Sequence, residues 1–197
     1  MPRTGSWEWS RSARTRQSML VAAREVFTAY GFADAGIAEV VSRAGCSVGS
    51  LYHHFGNKAE LFLALWDEHQ SAYEEGSASA VSAAKAEGVS EPLDLFAVGT
   101  HAYLQGCWER RDLIRLFTDG GGPAGFEQLR RTRGRDWLRR NSLLLRAGDS
   151  PADRLKVAML TSAIGEAGRE VALCETREQA EEVIEAALTL IRRLGQV

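Results

Sequence analysis

Apolar residues recur along this chain every three or four positions, the spacing of a helix face, and nowhere alternate with polar ones as a half-buried strand requires. In RTRQSMLVAAREVFTAYGF, Leu20, Ala23, Phe27 and Tyr30 fall on one stripe, and Gly31 supplies a stop. IAEVVSRAG follows as a short helix with Ile37, Val40, Val41 and Ala44 inward, ended by Gly45. VGSLYHHF reads as a second short helix capped by Ser47. Asn57 then caps a longer helix, KAELFLALWDEHQSAYEE, in which Leu61, Leu65 and Trp66 face a core. Ahead of all these, the first 10–12 residues read as a flexible basic arm.

The later pattern is weaker until the end of the chain. The Ser/Ala-rich stretch at 76–86 reads as a helix tail that gives way to a loop near Gly88. Ser90 is the expected cap of the next helix, with Pro92 in its first turn. DLIRLFTDGGGP is a short helix broken at 120–123, and an arginine-rich helix follows, with an interruption expected near Gly134. The final two helices are the most strongly patterned. In the last one Ala180, Val183, Ala187, Ile191 and Leu194 form a single apolar stripe. The expectation is an all-α chain: an arm over 1–12, a three-helix domain over 13–58, and a larger helical domain over 59–197.

Composition narrows the function classes. No run of about 18 apolar residues occurs, so no membrane span is expected, and the N-terminus lacks the apolar centre of a secretory leader. The chain is therefore expected in the cytoplasm. Cysteines at 46, 107 and 174 form neither a disulfide framework nor a zinc pattern. Charge is unevenly shared. Residues 1–58 carry seven Lys/Arg against four Asp/Glu, whereas residues 59–197 carry 17 against 22. A basic head on an acidic body fits a polyanion partner.

The two short helices and their turn, AGCS, make a helix-turn-helix in which the second short helix reads DNA. Gly45 stands where the chain must turn sharply, and Val40, Val41, Cys46 and Leu51 form the apolar wedge between the helices. Gly49 and Ser50 keep the outer face slim. Tyr52 and His53 offer donors to phosphate, and Lys58 adds charge at a helix start, whose free N–H groups also favour an anion. The motifs AAREVFTAYGF and IAEVVSRAGCSVGSLYHHFGNKAEL, with their spacing, resemble the DNA-binding domain of the TetR family of bacterial transcriptional regulators over Arg16 to about Leu65.

That resemblance implies base contacts in the major groove from Ser47, Val48 and Ser50, and phosphate contacts from Tyr52, His53 and Lys58, with Phe55 in the core. It also implies a dimer, a ligand pocket among the middle helices, and repression relieved by a small molecule. Departures from the family pattern carry information. Gly36 replaces a common threonine cap, so that contact is missing or is made by backbone N–H. Val41 replaces an alanine, and Cys46 a valine. Val48 replaces a polar or basic residue, and either touches a thymine methyl or shields the helix start.

Outside the motif, Arg14 and Arg16 are expected to meet phosphates, with Arg3 and Arg11 either doing the same or solvated. The arginines between 130 and 146 are read as a solvated, ion-paired face, with an anion site as the second reading. Small residues Ala158, Ser162, Gly165 and Gly168, together with Val183, Ala187 and Ile191, suit a four-helix dimer bundle. Candidate effector contacts are Trp66, Phe96, Tyr103, Trp108, Phe117 and Trp137, with Glu166 as a polar orienter for an apolar or aromatic molecule. No metal or cofactor is expected: adjacent His53 and His54 diverge by about 100° on a helix, and no catalytic motif occurs. The rival readings are a constitutive DNA-binding protein without an effector, and an enzyme that merely contains a helix-turn-helix-like bundle.

Overall fold

The computed structural model describes residues 5–119 and 121–196, with side chains from residue 12 onward. Its helices are α1 (Gly5–Asp34), α2 (Ile37–Ala44), α3 (Val48–Phe55), α4 (Lys58–Ala86), α5 (Pro92–Glu109), α6 (Arg111–Asp119), α7 (Phe126–Leu144), α8 (Pro151–Leu173) and α9 (Arg177–Gly195). Among the described residues there is no strand. No helix among them is long and apolar enough to cross a membrane.

Residues 5–12, expected in the arm, form the first turns of α1; Arg3 and the Arg11 side chain lie outside the described residues. Gly31, at φ 71° and ψ 175°, breaks the regular helix where the sequence placed its stop. The short helices end and begin as their capping residues require. Gly45 sits at φ 63°, ψ 35°, the left-handed conformation that a residue without Cβ adopts at least cost. Ser47 accepts a hydrogen bond from the Ser50 N–H at 3.1 Å, and Asn57 Oδ1 accepts one from the Glu60 N–H at 2.9 Å. Ser90 does not cap α5. Glu91 takes that place without a side-chain bond, and Pro92 opens the helix by fixing φ where no N–H partner is needed. Gly134 does not interrupt α7. An interior glycine costs only about 1 kcal/mol against alanine, too little to break a helix that is otherwise supported. Ser150 and Thr176 each close a capping box at the start of α8 and α9.

The contacts divide the chain at different places from the sequence reading. One unit comprises residues 1–69 and 115–126, the other 70–114 and 127–197, so the division falls inside α4 and α6. The first unit gains residues 59–69 and 115–126 because Phe62, in the first stretch, meets phenylalanines of α1 and of the second stretch. Its ring stands edge-on to Phe27, Phe32, Phe117 and Phe126 at centroid distances of 5.4, 5.0, 5.2 and 5.1 Å. In the same unit Met19, Leu20, Ala23, Val26, Val40, Leu51 and Leu61 are buried, while Tyr30, expected on the same stripe as Leu20, Ala23 and Phe27, is 52% exposed. Gly31 ends the regular helix directly after Tyr30.

In the second unit α5 packs on α8 and α9, which also pack on each other. Leu104, Cys107, Val171, Ala180, Ile184, Ala187 and Leu188 share one core cluster, and Phe96, Leu160 and Ile191 another. Two expected dimer contacts are therefore corrected: Ala187 and Ile191 lie in the protomer's own core. Gly168 is also used internally. A Cβ there would stand 3.0 Å from Cys107 Sγ and 3.1 Å from the Tyr103 ring, so glycine permits the close approach of α5 and α8.

Buried acids in this core have a consequence for pH. Burial pushes the Cys107 thiol up to about 12 and raises the Tyr103 hydroxyl well above its ordinary range. Above pH 9 the unfolded chain releases the Cys107 proton while the folded chain retains it, so stability falls as pH rises from about 9 towards 12. Urea midpoints are expected to decline across that window, and Cys107→Ala to flatten the decline. A midpoint unchanged up to pH 11 would contradict this burial.

Candidate nucleic-acid interface and ligand cavity

The outer face of α3 is built by what its inner face must bury. Leu51 and Phe55 turn inward, which leaves Val48, Gly49, Tyr52 and His53 outward. Val48 is 43% exposed and Tyr52 48%, and a side chain on Gly49 would meet nothing nearer than Ser47 Oγ at 3.9 Å. The surface is narrow at its start and ends in two side chains with donors, dimensions that suit a helix entering a major groove. Ser50 is half-buried. The Ser47 oxygen is held by the cap, which leaves its hydroxyl hydrogen to donate outward. Gly36 precedes α2 with extended backbone and no side-chain cap bond.

Arg14, Arg16 and Lys58 are the cations expected at phosphates. Arg16 lies over the Phe55 ring at 5.0 Å, and Arg14 is exposed. Lys58 Nζ donates to the Ala33 carbonyl at 2.8 Å and sits 5.1 Å from the Phe32 ring centroid. It thereby satisfies one carbonyl at the end of α1, a role that sequence spacing did not reveal. The ammonium has three donors, so a phosphate can share it. Lys58→Ala is expected to weaken binding to every duplex and to reduce the slope of log affinity against log salt by about 1. An unchanged slope in an anisotropy titration would leave Lys58 a purely internal cap.

Neighbouring groups argue against other chemistry at the turn. Cys46 is half-buried and burial raises its thiol, which disfavours the reactive thiolate. His53 and His54 rings are 5.6 Å apart and inclined at 69°. Among the described residues no three His, Cys, Asp or Glu side chains form a group able to hold a metal ion. Arg43 is taken up by Glu39 and Glu25, at 2.7 and 3.2 Å, and ties α2 to α1.

The second unit holds a cavity of about 420 Å³, within the range of small-molecule sites. Phe96, Tyr103 and Trp137, three of the candidate effector contacts, are on its wall. Tyr103 and Trp137 stand edge to face at 6.0 Å. The other candidates are corrected. Trp66 packs on Phe126, and Phe117 on Phe62, in the first unit's aromatic core. Trp108 packs on the second unit's core and carries Arg111 over its ring at 4.1 Å. Glu166 is exposed and paired with Arg169, and its neighbour Gly165 reaches the cavity instead. Polar wall residues that sequence reasoning missed are Glu74, Ser77, Thr100, Asn141 and Thr161, and Arg140 comes from the arginine cluster whose second reading was an anion site. Their signal was faint: Glu74, Ser77 and Val81 share a helix face by spacing, but polar residues on helices ordinarily face water. The arginine-rich stretch is largely ion-paired: Arg130 with Glu127, Arg139 with Asp136, and both Arg133 and Arg140 with Glu74.

Of the expected dimer residues, Ala158 and Val183 are half-buried and Ser162 is exposed. Large apolar side chains that do reach the surface are Leu155, Met159 and Leu173 on α8, and Leu190 on α9. Leu155, Met159, Ser162 and Leu173 share one face of α8 by helical spacing, and Val183 and Leu190 share one face of α9.

Comparison with known proteins agrees with this geometry. Residues 19–65 match the family model described as bacterial regulatory proteins, tetR family. Over 54 residues the chain is 46% identical to the HTH-type transcriptional activator FasR of Mycolicibacterium smegmatis, covering 27% of this chain and 25% of that one. Over 65 residues it is 39% identical to the A-factor receptor protein of Streptomyces griseus, covering 33% and 24%. The chain thus spans about a quarter of the length of these relatives. The whole fold is similar to a TetR-like transcriptional regulator from Rhodococcus sp. RHA1, with a TM-score of 0.69 and 22% identity over 92% of this chain and 93% of that one. It is also similar to the fatty acid degradation regulator FadR from Bacillus halodurans, with a TM-score of 0.71 and 14% identity over 89% and 97%. Over residues 19–65, in the segment from α1 to α4, this chain is thus similar to the tetR family of bacterial regulatory proteins.

Proposed function

We propose that the protein is a transcriptional repressor that binds a palindromic operator as a homodimer and is released by a small apolar or aromatic molecule. The outward face of α3 carries this reading: Val48, Gly49, Tyr52 and His53 project from a helix fixed by Ser47 and Leu51. Val48 and the Ser47 hydroxyl approach bases, while Tyr52, His53, Lys58, Arg14 and Arg16 hold phosphates. One α3 spans only a few base pairs, so useful affinity requires two copies on a two-fold axis. The second copy covers the apolar faces of α8 and α9 around Leu155, Met159 and Leu190, with Ala158, Ser162 and Val183 beside them. A monomer that leaves four large aliphatic side chains on two strongly helical faces has a patch suited to self-association.

The cavity favours an effector over the constitutive reading, since a filled second unit would offer a ligand no volume. α4 begins at Lys58 and carries Glu74 and Ser77 of the cavity wall, so it is the element through which occupancy reaches the DNA-binding end. The ligand must bind the DNA-incompetent conformation more tightly to act, and the coupling is reciprocal. No catalytic step belongs to this reading. Selection from a randomised duplex pool with the purified chain tests it. The expected product is one inverted repeat with half-sites about one helical turn apart. Failure to enrich any sequence above the starting pool would overturn it.

A further inference from the structure

The geometry points to a carboxylate-bearing effector: an apolar or aromatic body in the cavity of the second unit, with its acid group on Arg140 and Ser77. This deepens the proposed ligand response and rests on it only for the consequence at the operator. At one wall, Glu74 Oε1 accepts from Arg133 Nη2 at 2.9 Å and Glu74 Oε2 accepts from Arg140 Nη1 at 2.6 Å. Two guanidinium groups share the Glu74 carboxylate, so Arg140 does not have it to itself. Arg140 borders the cavity, and among the described residues Glu74 is its one partner. A guanidinium has five donors in a planar fork that matches a carboxylate, so most of the Arg140 donors remain for a second acid.

Ser77 supplies an independent indication. It lies three residues beyond Glu74 on α4, on the same helix face, and lines the same cavity. Its Oγ is buried and makes no hydrogen bond among the described residues. A buried hydroxyl left unpaired is costly, and an acceptor on the ligand removes that cost. An amine would bring its charge against the Arg140 guanidinium on the wall, which is unfavourable. A neutral amide would use Ser77 but gain little from the charge of Arg140. The remaining wall, with Phe96, Tyr103, Trp137, Leu144 and Ile164, takes an apolar chain or a flat ring.

Calorimetry on the full chain tests this with matched probes: decanoate against decanamide, and 2-naphthylacetate against its amide and against 2-naphthylethylamine. At least one carboxylate should bind about tenfold more tightly than its amide, as expected for a charge-assisted contact, and the amine should bind more weakly than either. Arg140→Met should abolish the preference. Glu74→Gln should strengthen carboxylate binding several-fold, a change of opposite sign that a folding defect would not produce. Equal affinity for acid and amide, a preference that survives Arg140→Met, or no binding of either acid would overturn the assignment. Operator release is read separately by anisotropy on the selected duplex. A carboxylate that binds without releasing DNA refutes the ligand response and leaves this assignment standing; release by amides as well as acids does the reverse.

Discussion

Replacing Phe62 by alanine will lower the stability of the first unit by about 3–5 kcal/mol, the range for deleting a fully buried aromatic side chain. Phe62 is 0% exposed and is the hub of the aromatic cluster, edge-on to four other phenylalanines that come from α1, the turn after Gly31, α6 and the start of α7. Each such edge-to-face pair adds about 0.5–1.5 kcal/mol beyond simple burial, and none of the partners can fill the space alone. A loss of this size is a large fraction of the stability of an ordinary domain. Denaturant unfolding should show the fall in midpoint together with loss of operator binding, because α3 packs on α1, which carries Phe27 of the cluster. Tyr30→Ala, at a side chain 52% exposed, should remain within about 0.5 kcal/mol of the parent. Equal midpoints for the two variants would mean that the cluster does not anchor this unit.

Leu190→Asp should leave the protomer folded and separate the dimer. The side chain is 63% exposed in the single chain, so its replacement removes little internal packing. Against a second copy it would place a charge in an apolar contact without a partner, a penalty that association cannot readily absorb. Loss of the dimer turns the second half-site contact from an intramolecular event into an independent one. Operator affinity should then fall by a factor of about 10²–10⁴. Sedimentation velocity reads the mass and anisotropy reads the affinity. A variant that still sediments as a dimer would place the interface elsewhere.

The helix-turn-helix was legible because its boundaries are written in single residues with strong local preferences. Gly45 adopts a conformation that few other residues tolerate, and Ser47 and Asn57 supply the oxygens that the first turns of α3 and α4 need. Ser90 and Gly134 misled for the converse reason: a serine before Glu-Pro need not cap, and one glycine does not end a helix. The cavity was half legible. Periodicity tells that Trp66, Phe96, Trp108 and Phe117 face inward, but not whether inward means packed core or open space. Phe96 reached the cavity and the other three did not. The polar wall escaped because Glu74, Ser77 and Arg140 look solvated one helix at a time, and their meeting depends on how α4 and α7 pack. The dimer stripe misled in the same way, since Ala187 and Ile191 serve the protomer's own core.

If the outer face of α3 contacts DNA, a charge at Gly49 will disrupt that contact, and Gly49→Glu supplies one. A Cβ at this exposed helical position would meet nothing nearer than Ser47 Oγ at 3.9 Å, so the variant should fold with stability equal to or slightly above the parent. The new carboxylate would meet the floor of the groove and its phosphates. Anisotropy on the selected duplex should show at least a ~100-fold loss of affinity, about 2.7 kcal/mol, at an unchanged melting temperature. A folded Gly49→Glu protein that binds the operator as tightly as the parent would contradict the account.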